Sequence, residues 1–239
     1  LVHQPFADGA VKSASLGQPV AVKVRGERAF IIGNGPSLKQ TELSRLRNEY
    51  TFGLNRIYLM FPDLGFHTTY FVTVNDLVIE QCKDDILALT IPKFLSWRTH
   101  GLFPSGKAPA TFLYTTYDNP AFARDVRHRV WESATVTYVA LQLAFHMGFQ
   151  QVVLIGVDHS SFVPGKANTT IVSQGDDPNH FNPSYFGKGF RWQLPDFETS
   201  EIGYRLARQA YEKAGRQVID ATIGGKLTIF PKVDYSSLF

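Results

Sequence analysis

Two histidines, His159 and His180, stand in one polar, aromatic-rich stretch of this chain. Imidazole exchanges a proton near neutral pH, so each is a candidate general base on a hydroxyl, and each could instead be held in a structural hydrogen bond. His180 closes Gly175-Asp176-Asp177-Pro178-Asn179-His180, and His159 directly follows Asp158. His146 reads as a helix-surface or packed histidine. Asp176 and Asp177 offer carboxylates to a divalent cation bridged to phosphates, the coordination Mg²⁺ prefers, or they form a solvated acidic turn. Lys188, Arg191 and Lys226 could neutralise phosphate or serve only as solvated surface cations. No G-x-S-x-G elbow, H-E-x-x-H pair or cysteine cluster occurs, so hydrolase triads and structural zinc have no support.

A second cluster of interest lies upstream. The apolar run Phe30-Ile31-Ile32 ends in Gly33-Asn34-Gly35-Pro36-Ser37. This is neither the dinucleotide fingerprint, whose third glycine would fall at Leu38, nor a P-loop, which needs Gly-Lys-Ser/Thr. Gly33 and Gly35 nevertheless remove two β-carbons where backbone amides could approach a phosphate, and a helix start beyond them would favour an anion. Asn55 falls about 20 residues on, roughly where a dinucleotide-binding protein places its ribose ligand, and its amide could meet a ribose or a base edge. The competing reading is turn chemistry with a Ser37 cap and Asn55 as a satisfied loop residue.

These residues need elements to position them. Short apolar runs at 29–32, 50–54, 70–74, 93–96, 112–115, 152–156 and 217–220 read as strands. Helical spacing is expected over 38–47, 76–89, 134–147 and 197–214, with Gly148 closing the third of these as a C-terminal cap. Alternation of this kind implies an α/β, Rossmann-like fold, with a mostly parallel sheet and helices on both faces. In such sheets ligands bind beyond the carboxyl ends of the strands. Asn34, Asn55, Asn75-Asp76, Asp158-His159 and Asp220 all fall at those ends. Residues 157–195 form a long lid-like insertion, and Phe181, Tyr185, Phe186, Phe190 and Trp192 favour an ordered one. Those rings could form a small core of its own, stack on sugar, or hide a subunit contact in a homo-oligomer.

Bulk properties narrow the classes. The 239 residues suit a lead-in over 1–26 followed by one domain over 27–239, and 44% apolar with 19% charged residues suits a globular protein. A net charge of +3 without a basic block argues against nucleic acid as a partner. Cys82 is the single cysteine, which fits a reducing compartment. No stretch approaches the ~18 apolar residues of a membrane helix, and no signal pattern opens the sequence; the expected location is cytoplasmic.

Three stretches carry a resemblance. Ile31-Ile32-Gly33-Asn34-Gly35-Pro36-Ser37-Leu38, Phe52-Gly53-Leu54-Asn55-Arg56-Ile57-Tyr58 and ALQLAFHMGFQQVVLIGVD ending at Asp158 resemble the MptE-like 6-hydroxymethylpterin diphosphokinase family. That family is related to bacterial sialyltransferases of glycosyltransferase family 42 and to motility accessory factor glycosyltransferases. The resemblance spans about 28–235. It implies a nucleotide bound at the carboxyl edge of the sheet, with Asn34 and Asn55 as nucleotide contacts and a hydroxyl from Ser133, Thr135 or Thr137 assisting. The sialyltransferases place tyrosines after the strand that here ends in Asp158, where this chain has His159-Ser160-Ser161-Phe162. Their catalytic histidine precedes the last helix, where this chain has Pro195-Asp196-Phe197, and His180 lies upstream.

The resulting expectation is a nucleotide-dependent transferase, foremost a glycosyltransferase on a nucleotide-activated sugar in surface-glycan synthesis. Gly33, Asn34, Gly35, Pro36 and Ser37 would hold phosphate, Asn55 the ribose or base, and Asn75 and Asp158 would add polar contacts. His180 or His159 would be the base, with Lys226 or Arg191 offsetting phosphate charge. The partners are then a nucleotide or nucleotide-sugar and a glycan or small-molecule acceptor, with no cofactor required. The alternatives are an ATP-dependent hydroxymethylpterin diphosphokinase using Mg²⁺ near Asp158 or Asp176-Asp177, and a non-catalytic nucleotide-binding scaffold.

Overall fold

A computed structural model describes residues 26–103 and 110–239. Apart from Gly26, the lead-in expected over 1–26 lies outside them. The strands are β1 Arg28–Ile32, β2 Tyr50–Leu54, β3 Tyr70–Thr73, β4 Lys93–Ser96, β5 Ala110–Thr116, β6 Arg129–Trp131, β7 Gln151–Ile155, β8 Thr170–Val172, β9 Arg191–Gln193 and β10 Gln217–Asp220. Eight of them form one sheet in the order β10-β7-β1-β2-β3-β4-β5-β6, and every pairing in it is parallel. Among the described residues the sheet begins with β1, steps outward to β6, and returns to β7 on the other side of β1. The order therefore reverses between β1 and β7, and crevices at such points are where doubly wound sheets bind ligands.

Parallel strands covered on both faces read as unbroken apolar runs, and β1 shows why. Ala29 and Ile31 enter one hydrophobic layer while Phe30 and Ile32 enter the other. The helices are α1 Phe61–Leu64, α2 Asp76–Gln81, α3 Lys83–Ala88, α4 Val136–Met147 and α5 Phe197–Lys213. The first layer is closed by α4 and α5. Thr135 caps α4 by accepting from the Thr137 N–H, and Gly148 ends it at φ 98°, a left-handed conformation that costs glycine little. All of α4 except Val136 and His146 is buried, so it acts as a core rod that holds its N-terminus at the sheet edge. Tyr211 of α5 donates its hydroxyl to Leu141 O of α4 at 2.8 Å, tying the two together.

The second layer departs from expectation. Instead of a helix over 38–47 there are two 3₁₀ turns, Pro36–Gln40 and Leu43–Asn48. Thr41 breaks the path by bonding back from Oγ1 to Ser37 O, and Leu43 and Leu46, three apart, superpose in a three-residue turn. The glycine turn therefore leads into no α-helix, and no helix dipole stands behind it. The helix expected over 76–89 is divided at Cys82 into α2 and α3. The insertion is ordered around the antiparallel pair β8–β9. Phe181, Tyr185, Phe186 and Trp192 are buried in the second layer, each worth roughly 1.5–3 kcal/mol. These four rings are interior, so they present no surface for a subunit contact, while Phe162 of the same insertion is exposed. Among the described residues no helix is long and apolar enough to cross a membrane.

Candidate functional site

Beyond the carboxyl ends of β1, β2 and β7 lies a cavity of about 190 Å³. The glycine turn and Asn55 line it from the sheet, Ala134–Thr137 from the start of α4, and 156–160 from the end of β7. The insertion contributes Asn179, His180 and Tyr185, and the entry to α5 contributes Phe197, Ser200 and Tyr204. Asn34 and Asn55, distant in sequence, thus share one hollow. A larger hollow of about 690 Å³ lies beside Arg45, Gly224-Gly225 and Lys232. Its two cations are already paired at 2.6 Å, Lys232 with Asp220 and Arg45 with Glu42, so it presents little unspent chemistry.

The glycine turn differs from a phosphate cradle. Gly33 N–H donates to Ile155 O at 2.8 Å and Gly35 N–H to Gly156 O at 2.9 Å, so both amides are spent on the end of β7. Ser37 is not a helix cap: its N–H and Oγ–H both donate to Asp158, at 3.1 and 2.7 Å. The carboxylate of Asp158 thus takes the seat that an incoming anion would need. A Cβ on Gly35 would overlap that carboxylate, and one on Gly33 would overlap Gly156 O, so close packing against β7 explains both glycines. Burial pushes the Asp158 carboxyl above the usual range, aided by the charge of Asp220 and opposed by the Ser37 bonds. Neither Pro36 nor Ser37 lines the cavity.

Asn34 is 8% exposed; its Nδ2 donates to Leu54 O at 2.9 Å, leaving Oδ1 buried without a partner. Asn55 sits at φ +47°, a left-handed position that asparagine tolerates. Its Oδ1 accepts from Thr73 Oγ at 2.9 Å, which directs the amide. Thr135 lines the cavity and faces the Tyr204 hydroxyl at 3.3 Å.

His180 is held by several contacts. Its Nδ1–H donates to Asp177 Oδ2 at 2.7 Å, so the neutral ring carries its lone pair on Nε2. Asp177 also accepts from Asn179 N–H at 2.8 Å and Phe186 N–H at 3.1 Å. Burial opposes ionisation of Asp177, yet the bonds from His180 and the two amides outweigh it and hold the carboxyl below the usual range. The imidazole stacks on Tyr185 with centroids 4.0 Å apart. Tyr185 in turn accepts from Arg56 N–H at 3.2 Å, and Phe181 N–H donates to Asn34 O at 2.9 Å. The insertion is thereby pinned to the ends of β1 and β2. His159, at φ +54°, pairs through Nε2 with Glu201 at 3.2 Å and meets the Phe197 ring edge-on.

Other expected residues fall elsewhere. Asn75 caps α2 by accepting from Val78 N–H, and Ser133 donates to Thr199 O at 2.7 Å; neither lines the cavity. Arg191 lies 3.4 Å from Glu80 of α2 and does not line the cavity. Lys226 is exposed, and only its backbone N–H reaches the site, on Asp158 O. Asp176 is exposed whereas Asp177 is buried, so the two do not form a cation pair. Among the described residues no group of three or more His, Cys, Asp or Glu could hold a metal. No lysine or arginine lines the cavity, which leaves imidazoles, hydroxyls and N–H groups to meet negative charge. Sequence reasoning missed Asn179 as a wall residue and Asp177 as the partner of His180. The acid three residues before the histidine was the available signal.

A family model described as 6-hydroxymethylpterin diphosphokinase MptE-like matches residues 10–162. The chain belongs to the MptE-like family. In this MptE-like chain the match takes in the walls from β1, β2, α4 and β7, and stops short of the His180–Asp177 pair. Among solved structures, the MAf glycosyltransferase from Magnetospirillum magneticum AMB-1 has the same fold, with a TM-score of 0.57 at 13% identity. That similarity covers 92% of this chain and 35% of the other, so the MptE-like chain spans little more than a third of that protein. No curated protein sequence matches it.

Proposed function

We propose that the chain is a nucleotide-dependent transferase of the glycosyltransferase type, moving a sugar from a nucleotide-activated donor to an acceptor hydroxyl in surface-glycan synthesis. The observation that carries this reading is the meeting, in one cavity at the switch point, of Asn34, Asn55 and a His180–Asp177 pair with Nε2 uncommitted. The fold shared with a glycosyltransferase supports it.

In this reading the sheet edge holds the nucleoside. Asn34 Oδ1 accepts from a hydroxyl or an exocyclic amine, and Asn55 offers its amide to the ribose or base. The hydroxyls of Thr135 and Thr137 and the start of α4 receive the phosphate, where partial positive charge favours an anion. His180 Nε2 takes the proton from the acceptor oxygen as that oxygen bonds to the anomeric carbon and the sugar–phosphate bond breaks. Asp177 fixes the tautomer and stabilises the imidazolium. A positioned base of this kind contributes roughly 10²–10⁴ in rate. No metal is needed.

The family description supports a second reading, diphosphoryl transfer from ATP to a hydroxymethylpterin. Mg²⁺ in such sites is held by one or two carboxylates plus phosphates. Asp158 is the one carboxylate in the wall, and both its oxygens already accept from Ser37, so the residues fit that ion poorly. A thermal-shift panel of CMP, UDP, GDP and ATP, each with and without Mg²⁺, separates the readings. Metal-independent stabilisation by CMP or a nucleoside diphosphate is expected. Stabilisation by ATP alone, and only with Mg²⁺, favours the diphosphokinase; binding without turnover favours a scaffold.

A further inference from the structure

Among the described residues, four buried side-chain atoms make no hydrogen bond: Asn34 Oδ1, Thr68 Oγ1, Glu132 Oε1 and Asn179 Nδ2. Glu132 Oε1 is nevertheless in ion-pair range of Arg98 at 2.8 Å, which leaves three true orphans. Two of those three line the same cavity. A buried polar atom without a partner is costly to leave unmade, so its persistence at a cavity wall calls for a ligand atom.

The orientation of each amide is fixed by a backbone partner. Asn34 must turn Nδ2 toward Leu54 O, which leaves Oδ1 as the acceptor. Asn179 must turn Oδ1 toward Phe162 N–H, at 2.7 Å, which commits Nδ2 as a donor. The two orphans are therefore of opposite kind. Asn34 calls for a donor, and Asn179 for an oxygen acceptor.

Position decides which oxygen. Asn179 adjoins His180, and its contact with Phe162 places it against the segment that begins at His159. Those two imidazoles are the side chains in the wall that can carry positive charge. Asp158 holds the seat at the glycine turn, so an anion is excluded there. We propose that Asn179 is a ligand-binding residue that reads anionic oxygen, its Nδ2 donating to a phosphate oxygen of the nucleotide while Asn34 takes a hydroxyl or amine of the nucleoside. This rests on the nucleotide-transferase reading and adds what that reading lacks: a contact from the insertion that selects for phosphate.

Asn179→Asp is the discriminating variant. It keeps an oxygen for Phe162 N–H, and so the local structure, and exchanges only the orphan donor for a charged acceptor. Calorimetric titration of the wild type, Asn179→Asp and Asn179→Ala would use CMP, UDP, GDP and ATP, with cytidine, uridine, guanosine and adenosine as phosphate-free probes. The expected result is a loss of about tenfold or more in affinity for the phosphorylated probe, larger for Asp than for Ala, with the matching nucleoside bound equally by all three proteins. Equal losses for nucleotide and nucleoside, or no loss for either, would overturn the assignment. If the wild type binds none of the eight probes, the transferase reading itself fails and this inference falls with it.

Discussion

Gly35→Ala is the substitution whose outcome the structure specifies most closely. A methyl at that position would overlap Asp158 Oδ2 and Cγ and stand 3.0 Å from Asp158 Cβ, so the carboxylate must leave its seat. Leaving it gives up two bonds from Ser37, at 3.1 and 2.7 Å. Hydrogen bonds to a charged group contribute about 1.5–3 kcal/mol each, a gross loss of ~3–6 kcal/mol. Rehydration of a carboxylate whose ionisation burial already opposes returns part of that, leaving a net cost of ~2–4 kcal/mol. Asp158→Ala removes the same bonds and also the obstruction. In Gly35→Ala/Asp158→Ala the new methyl then has room, and the double variant should be no less stable than Asp158→Ala alone. Urea unfolding of the four proteins measures this as a coupling of about 2 kcal/mol or more, far outside the additivity expected of independent sites. If the single effects simply add within ~0.5 kcal/mol, the glycine is not there to admit Asp158, and the case against a phosphate in the turn collapses.

Three further outcomes follow from the same geometry. His180→Ala should lower turnover roughly 10²–10⁴-fold while leaving nucleotide affinity within about threefold, and Asp177→Asn should lower turnover less, as expected of a group that acts through the imidazole; equal losses in binding and turnover would contradict the roles. The folded pKa of Asp177 lies below its unfolded value, so its contribution to stability is full above about pH 3.9 and is lost as pH falls through the folded value; the stability gap between wild type and Asp177→Asn should therefore narrow on acidification, and a constant gap from pH 6 to pH 2 would refute it. Asn34→Ala and Asn55→Ala should each weaken the stabilising nucleotide about tenfold in a thermal-shift titration, and unchanged shifts for both would remove them from the site.

The sheet could be read because its signals are local. Seven of its eight strands are apolar-rich runs, whereas β6, Arg-Val-Trp, carries no such signal and was not expected; α4 is bracketed by Thr135 and Gly148 within its own sequence. The helix expected over 38–47 misled because Leu38, Leu43 and Leu46 suit two short turns as well as one helix, and the choice rests on Thr41 bonding to Ser37 O. The cavity was legible as a set of strand-end asparagines but not in its polarity. Gly35 looked like room for a phosphate, and only the fold brings Asp158, 121 residues beyond Ser37, into that room. Arg191 and Lys226 looked available for charge, yet the pairing of β8 with β9 carries Arg191 to Glu80, and the turn after β10 leaves the Lys226 side chain outside. The partners of His180 lie within nine residues of Asp177, but no helix or strand spacing marks them.

In the proposed function one nucleotide fills the hollow shared by Asn34, Asn55 and His180. A crystal structure of the chain with whichever of CMP, UDP, GDP or ATP stabilises it most tests that directly. The nucleoside is expected against Asn34 and Asn55, and the phosphate by Thr135 and Asn179, with His180 Nε2 left open to the acceptor. Density in the hollow beside Arg45 and Lys232, or a phosphate displacing Asp158 from Ser37, would contradict it.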